Sequence, residues 1–417
     1  MKKIIKLFLI AVLLISCTND IKKSVSKEHV VKQLSFQEPK ILSDTLANAM
    51  GAYFFNDKRG NILLNWTEEI DTSRVFILRY RKFNNKTKQF GETVTILSSK
   101  GMQSHDESMA KIAINKDGVM YAIFRIEDKD SKRRFAGNIY YSISSDNGKS
   151  WSERKKLVMD KESKSQSFFD VAILPDGELG LSWLDSRKLE KEKDGSSLYF
   201  AKSKGDQGFI NEKPVAGSTC QCCRTDIFVD FEGKINIAFR NLNDESIRDM
   251  YRVISKDNGE LFSEPVRMGK DNWKIDGCPH TGPSLADNGK DVSVVWFTGA
   301  NSGTGIFFKN LFDEVSVFEM KKLISNVGSH PQMTALPNGH FFIVYEEFYK
   351  VKMTFLSNIV LHIVDDKGSE IKRKIISKPN SINDHSVITT IENNEVVIAW
   401  INKVNKKARI EYTIISY

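Results

Sequence analysis

The chain has 417 residues and a formal net charge of +8, and 41% of its residues are hydrophobic. A chain of this length exceeds what one ordinary hydrophobic core organises, so it contains either several domains or one large repetitive domain. The 9 Pro, 25 Gly and 27% charged residues exclude collagen, a disordered chain and a polytopic membrane protein, and the interleaving of basic with acidic residues argues against nucleic-acid binding.

The first residues indicate an export signal. Three lysines precede an apolar run over residues 7–15, which is too short to span a bilayer as a helix. Residues 14–17, Leu-Ile-Ser-Cys, resemble the lipobox of bacterial lipoproteins, in which the cysteine carries lipid. We therefore expect a signal peptide over residues 1–16, a lipid-carrying Cys17 with a tether over residues 17–29, and an exported lipoprotein at the outer membrane. The alternative is an ordinary signal peptide with an incidental cysteine.

A strand-like segment recurs seven times along the chain. Each copy has about six residues, ends in an aromatic residue and follows a polar turn that often contains glycine. The seven copies end at Trp66, Phe124, Trp183, Phe239, Trp296, Tyr345 and Trp400. About four strands fit into each repeat, which is the size of a propeller blade. We therefore predict an all-β fold, a seven-bladed β-propeller over residues 30–417, with a six-bladed ring plus an extra hairpin as the alternative.

The last repeat is incomplete, because only one further strand-like segment, residues 408–416, follows Trp400. Residues 30–36 are strand-like and lie ahead of the first repeat. We expect this N-terminal strand to complete the last blade and close the ring, which removes an open sheet edge.

Two hairpin tips match a known repeat signature. Residues 144–151, Ser-Ser-Asp-Asn-Gly-Lys-Ser-Trp, fit the Asp-box S-x-D-x-G-x-T/S-W, residues 255–262 form a second copy ending in Phe, and residues 203–209 form a degenerate third. The aspartate can accept backbone N–H groups, the glycine can adopt positive φ, and the aromatic residue can pack beneath the turn. The chain thus resembles sialidase-like (BNR-repeat) propellers, in which these boxes lie between the third and fourth strands.

The middle of the chain adds a second resemblance. Residues 220–223 (Cys-Gln-Cys-Cys), Arg248-Asp249 and residues 277–283 resemble a branch of exported bacterial propellers labelled exo-alpha-sialidase. The resemblance implies a protein that binds or acts on glycans, as an exo-glycosidase for acidic sugars.

Charged residues are expected to gather on one face, because the segments that enter the first strand and leave the second strand of each blade open on the same side. The candidate catalytic residues are Arg125, Asp185, Arg187, Arg240, Arg248, Asp249, Glu346 and Glu347. Guanidinium groups could clamp the carboxylate of an acidic sugar, while a carboxylate serves as acid or base.

A set of histidines enters the same face. Counting back nine residues from the turn of each repeat gives His280, His330 and His385; one extra turn residue gives Cys223 in the fourth repeat, and His105 lies four residues further out in the second. Imidazole and thiolate groups bind copper or zinc well. A metal-binding or redox propeller is therefore the alternative function.

The remaining cysteines are Cys220, Cys222, Cys223 and Cys278. An even number in an exported protein predicts two disulfides. Adjacent cysteines rarely bond to each other without strain, so one of Cys222 and Cys223 is expected to pair with Cys278. If the cysteines are structural and the histidines only cap strand entries, the chain would instead be a non-catalytic surface interaction scaffold.

Overall fold

The computed structural model describes residues 34–70, 74–188, 195–243, 245–311, 321–392 and 394–417. The predicted signal peptide, the lipidation site Cys17, the tether and residues 30–33 lie outside the described residues. No helix in the described part of the chain is long and apolar enough to cross a membrane.

Antiparallel strands make up most of the regular structure of the described chain, and the second strand of several blades is buried along most of its length. Two short strands come first, β1 (Ser35–Phe36) and β2 (Lys40–Ile41). The first three blades follow as β3 (Ala49–Asn56), β4 (Ile62–Ile70), β5 (Val75–Asn84), β6 (Gln89–Phe90) and β7 (Val94–Ile96), with a turn of 3-10 helix at Leu97–Ser99; then β8 (Lys111–Ile114), β9 (Met120–Glu127), β10 (Gly137–Ser144) and β11 (Lys155–Lys156); then β12 (Gln166–Ile173), β13 (Leu179–Asp185), β14 (Ser196–Ser203) and β15 (Phe209–Thr219).

The fourth to seventh repeats continue the pattern. Their strands are β16 (Asp226–Val229), β17 (Ile235–Arg240), β18 (Met250–Ser255) and β19 (Val266–Arg267); β20 (Ser284–Asp287), β21 (Val292–Ala300), β22 (Gly303–Asn310) and β23 (Lys322–Ser325); β24 (Gly328–Ala335), β25 (Phe341–Val351), β26 (Thr354–Val364) and β27 (Glu370–Ile375); and β28 (Ile382–Ile391), β29 (Glu395–Val404) and β30 (Lys407–Ser416).

The sixth and seventh repeats share one sheet of nine strands. A single parallel pair, Ser357 with Ile382, joins β26 of one repeat to β28 of the next. In the described chain, five blades are therefore separate sheets, rather than the seven that the repeats predict. The physical reason is this one pairing, which merges the last two antiparallel units.

The N-terminal strands close the ring. In β1, Ser35 pairs with Ser416 of the last strand, and in β2 Lys40 pairs with Tyr412. The edge of β30 is thus covered by the start of the domain instead of being left open. The prediction of an all-β propeller closed by an N-terminal strand is confirmed.

The tryptophans that end second strands belong to the core. Trp66, Trp183, Trp296 and Trp400 are all completely buried. Each indole N–H donates to a side-chain oxygen, as a buried Trp requires; the acceptors are Glu68 at 2.9 Å, Asp185 at 3.0 Å, Asp271 at 2.7 Å and Asn383 at 3.1 Å. Several acidic residues near the strand ends therefore stabilise the fold.

The first Asp-box has the predicted local chemistry. It lies between β10 and β11, the third and fourth strands of its blade. Asp146 Oδ1 accepts the Ser150 backbone N–H at 2.9 Å, Gly148 has a φ of 85°, and the Trp151 ring packs edge-on against Tyr80 of the preceding blade. The box thus fastens neighbouring blades together, away from the innermost strands.

Candidate functional site

Equivalent residues at the entry to the innermost strands share an unusual backbone. Nine positions ahead of the turn, five blades have a left-handed residue: Gly51 (φ 63°), Phe168 (48°), His280 (51°), His330 (47°) and His385 (47°). In the blades of Gly51, Phe168, His330 and His385 the strand pairing shifts register at this point, as at a β-bulge. A left-handed non-glycine residue costs about 1–3 kcal/mol and is typical of functional sites.

The end of the ring at which the innermost strands begin, which we call the mouth, contains four histidines: His105, His280, His330 and His385. The rings of His330 and His385 stack with centroids 4.4 Å apart, and those of His105 and His280 stack at 5.8 Å. His105 and His280 are exposed, whereas the side chains of His330 and His385 are 20% and 19% exposed. The mouth therefore presents imidazoles at two depths.

Carboxylates surround the two deeper histidines. The buried Glu346 contacts His330 Nδ1, and Asp384 Oδ1 lies 3.4 Å from His385 Nδ1. Asp384 also pairs with Lys403 at 2.7 Å. Glu346 Oε2 and His385 Nδ1 have no hydrogen-bond partner among the described residues, so the mouth contains buried polar atoms that a ligand or water would satisfy.

A buried ion pair lies beside this cluster. Arg224 Nη1 is 3.2 Å from Glu107 Oε1, and both side chains are less than a tenth exposed. The second terminal nitrogen of Arg224 donates to the carbonyl oxygens of Gly282, Pro283 and Pro331, in two other blades. The backbone N–H of Glu107 also donates to His105 Nδ1 at 3.1 Å, which fixes that ring.

The two deeper histidines both have raised pKa values. Burial lowers the pKa of His385, but the neighbouring carboxylate of Asp384 and the charges of Asp106, Glu346 and Glu107 outweigh burial and raise it to about 9. For His330, burial again opposes protonation, while the contact with Glu346 raises the pKa and prevails. The carboxylates of the mouth therefore favour the protonated form of both imidazoles.

One group in the mouth has the composition of a metal site. Ligand atoms of Glu107, His330 and His385 all lie within 4.8 Å of one another. Two imidazoles with one carboxylate suit zinc and other transition metals. A metal here would have to displace the proton of His385 and compete with Arg224 for Glu107.

A small cavity lies among the innermost strands. It measures about 110 Å³ and is lined by Tyr53, Lys111, Asp170, Arg224 and Asp226 among others. Burial lowers the pKa of Lys111 to about 8, whereas burial and the neighbouring Asp170 raise the pKa of Asp226 well above its usual range. Asp170 also accepts the backbone N–H of Ile227 at 3.0 Å, so it links two blades as well.

Of the eight predicted catalytic residues, Glu346 is the one that the described structure places against the histidines. Arg125 donates to the carbonyl oxygens of Gln166 at 2.6 Å and Phe135 at 2.5 Å, and it contacts Gln103. Arg240 is 1% exposed and donates to the carbonyl oxygens of Arg248, Thr281 and Phe297. Both guanidinium groups therefore donate mainly to the protein's own backbone, which leaves few of their N–H groups for the predicted substrate clamp.

The other predicted catalytic residues also have structural partners. Asp185 accepts from Ser163 and Trp183 and pairs with Arg187 at 2.8 Å, and Arg187 further pairs with Asp160 and Glu212. Asp249 pairs with Arg267 and accepts from the Trp273 backbone, Glu347 pairs with Arg373, and Arg248 contacts Cys220 Sγ. These contacts stabilise strand ends and leave few free atoms for a substrate.

The cysteines differ from both sequence predictions. All four cysteines in the described residues are free thiols, and Cys278 is exposed, so the expected disulfide with Cys278 is not present. Cys223 does not join the histidines, because its thiol lies 3.4 Å from that of Cys220 in the apolar core between the third and fourth blades.

Three residues of the mouth escaped the sequence analysis: Glu107, Arg224 and Asp384. Each is next to, or two residues from, a residue that the repeat spacing singles out, namely His105, Cys223 or His385. Their closeness in sequence to these residues was the signal that could have identified them.

The comparisons with known proteins agree with this fold. The family model of the BNR repeat-like domain matches residues 61–286, and no curated protein sequence matches the chain. Among solved structures, the chain is similar to a protein of unknown function from Dyadobacter fermentans DSM 18053 (TM-score 0.53, 13% identity, 93% of this chain and 100% of that one). It is also similar to polysaccharide lyase Uly1 (TM-score 0.55, 12% identity, 94% of each chain) and to the Hadza microbial sialidase Hz136 (TM-score 0.45, 13% identity, 84% and 75%). At these identities the likeness shows the fold alone.

Proposed function

Because the chain belongs to the BNR repeat-like domain family, we propose that it binds acidic glycans in the mouth of its propeller. The likeness of the whole domain to a polysaccharide lyase supports a glycan as the ligand class. The histidines of the mouth support an acidic glycan in particular.

The observation that carries this proposal is the stacked pair of His330 and His385, whose pKa values are both raised by neighbouring carboxylates. Each comes from a different blade, and each is about one-fifth exposed, so the mouth side of the pair is open to a ligand. A sugar carboxylate can accept charge-assisted hydrogen bonds from imidazolium groups, which are about twice as strong as neutral ones.

The outer histidines fit the rest of a sugar. His105 and His280 are exposed beside the deeper pair, and the backbone N–H of Glu107 occupies His105 Nδ1. The remaining ring nitrogens can bond to hydroxyl groups. Imidazole is also the commonest general acid or base, so cleavage of the bound glycan is part of the proposal, with His280 as the exposed proton carrier.

Binding of a panel of acidic and neutral oligosaccharides to the parent protein and to His385→Ala tests the proposal. Losing a hydrogen bond to a charged group costs about 1.5–3 kcal/mol, so we expect binding of acidic members to weaken about 10- to 100-fold. His340→Ala is the matched control. His340 lies in the turn between β24 and β25, at the end of the blade away from the mouth, and its ring packs on Tyr417. Equal binding by the parent and His385→Ala, or no binding of any acidic glycan, would contradict it.

Turnover is measured on the same panel. New reducing ends without ultraviolet absorbance indicate hydrolysis, whereas new reducing ends together with the ultraviolet absorbance of an unsaturated product indicate elimination. His280→Ala should abolish either product while retaining most of the binding. Unchanged product formation by His280→Ala would exclude its role as proton carrier.

A second candidate function is metal binding, favoured by the mutual proximity of Glu107, His330 and His385. Copper or zinc would bind these ligands after His385 loses its proton, so metal affinity should increase with pH. Metal analysis of protein purified without a histidine tag tests this. A bound metal that persists in His385→Ala would exclude the site.

We further propose that the chain is an exported lipoprotein attached to a membrane through Cys17. The lysines, the apolar run and the lipobox-like residues 14–17 support the proposal. Cys17→Ser should release the protein from membranes or block its processing, and unchanged membrane association in fractionated cells would contradict it.

A further inference from the structure

Three thiols form a compact cluster away from the histidines. The Sγ atom of Cys220 lies 3.5 Å from that of Cys222 and 3.4 Å from that of Cys223. The three residues are at most 5% exposed, and their ligand atoms all lie within 4.8 Å of one another. We propose that this cluster binds one monovalent thiophilic metal ion, Cu(I), through three thiolates.

The spacing of the thiols fits a shared ion. A metal–thiolate bond of about 2.3 Å places three sulfurs around one ion a little under 4 Å apart. The thiols of the cluster are close to this spacing, so small side-chain movements would complete the site. Cysteine is the ligand that selects Cu(I), since soft ions prefer sulfur.

Two buried arginines supply the second, independent observation. Arg248 Nη1 lies 3.0 Å from Cys220 Sγ, and Arg240, which is 1% exposed, donates to the carbonyl oxygen of Arg248. Neither guanidinium forms an ion pair with a carboxylate among the described residues. Buried charges are normally paired, so the anion that Arg248 faces is a thiolate.

The electrostatics of the cluster agree with this assignment. Hydrogen bonds from Cys222 and Cys223, with a further contribution from Arg248, lower the pKa of Cys220 although burial opposes this. Burial raises the pKa of Cys223. Binding of the ion would release the protons that the three thiols hold.

Charge balance distinguishes the ions. Three thiolates carry three negative charges, and Arg240 and Arg248 offset two of them. A monovalent ion leaves the buried site neutral, whereas a divalent ion leaves it positive. A structural zinc site also has four protein ligands, and Cys278, the remaining cysteine in the described residues, is exposed and outside the cluster.

Titration of the fully reduced protein with Cu(I) against a chromophoric Cu(I) chelator tests the proposal. We expect one equivalent per chain, and loss of that equivalent in Cys220→Ser, Cys222→Ser and Cys223→Ser. Cys278→Ser is the matched control and should bind like the parent. His385→Ala should also keep the equivalent, which separates this site from the mouth and from its proposed glycan function.

A measurement on the unmodified chain keeps the test decisive if a serine variant fails to fold. Cu(I) should protect three thiols of the parent from alkylation, read by mass spectrometry, and leave Cys278 reactive. Arg248→Met should bind Cu(I) about 10-fold more weakly, as expected for loss of a group that supports a metal ligand. Equal alkylation with and without Cu(I), a disulfide within the cluster of protein purified without reductant, or zinc bound in preference to Cu(I) would overturn the proposal.

Discussion

The rings of His330 and His385 stack 4.4 Å apart, with their planes at 25°, although the two residues come from different repeats. Charge on His385 opposes protonation of His330, so the raised pKa values of the two rings depend on nearby negative charge. Glu346 supplies it at His330, and Asp384 supplies it at His385. The two carboxylates therefore stabilise the protonated form of the stacked rings.

Replacing the buried carboxylate of Glu346 should weaken protonation of His330, one of the two stacked rings. In Glu346→Gln the pKa of His330 should fall, because the charge that raises it is lost while burial, which lowers it, remains. A histidine whose pKa is raised by folding stabilises the protein at pH values below the pKa of an ordinary histidine. This stabilisation is lost as the pH rises through the raised pKa. The variant should lack this pH-dependent part. An imidazole titration by NMR that shows the same His330 pKa in both proteins would contradict the assignment.

The Asp-box glycine should be far less tolerant than a turn glycine with similar φ. A Cβ at Gly148 would lie 2.1 Å from the hydroxyl oxygen of Tyr80, whereas one at Gly118 meets nothing within 4 Å. Both have positive φ, 85° and 80°. We expect Gly118→Ala to cost about 1 kcal/mol and Gly148→Ala about 1–3 kcal/mol more from overpacking. Equal denaturation midpoints would show that the box does not pack as described.

The buried pair of Glu107 and Arg224 should matter more than a surface pair. Glu107→Gln leaves a buried guanidinium unpaired, which costs about 3–5 kcal/mol in the free energy of unfolding. The control is Glu232→Gln, which breaks an exposed pair with Lys234 and should change stability by less than about 1 kcal/mol. Similar chemical denaturation curves for the two variants would refute the role of Arg224 as the anchor of the mouth.

Closure of the ring should depend on the first two short strands. A chain that begins at residue 42 lacks β1 and β2 and exposes the edge of β30, so it should melt at lower temperature or aggregate. A chain that begins at Leu34 keeps both strands and serves as the control. Identical melting of the two chains would mean that the remaining sheet is self-sufficient.

The architecture was predictable because the same pattern of buried residues recurs in each repeat of the sequence. Trp183 and Trp400 recur at blade spacing, and a completely buried aromatic residue at a strand end is a local requirement of this fold. The count of nine residues from each turn also placed His330 and His385 at equivalent backbone positions. A single bridge between Ser357 and Ile382, which merges two blades, has no comparable sequence signal.

The site was less predictable because its chemistry depends on pairing across the ring. Glu107 and Arg224 are 117 residues apart, and nothing local to either residue indicates the pair. Arg240 has the charge expected of a substrate clamp, yet its guanidinium is surrounded by carbonyl oxygens. Residue type and position alone do not distinguish a structural guanidinium from one that binds a ligand.

The most direct test of the account is the pH dependence of acidic-glycan binding. His385 has a pKa of about 9, so it is charged at neutral pH and loses its charge as the pH rises through that value. Calorimetric titration of an acidic oligosaccharide should show affinity that falls through about pH 9 in the parent, and the fall at that pH should be absent in His385→Ala. A parent protein that binds the acidic oligosaccharide equally well on both sides of that pH would contradict the central role of the histidine mouth.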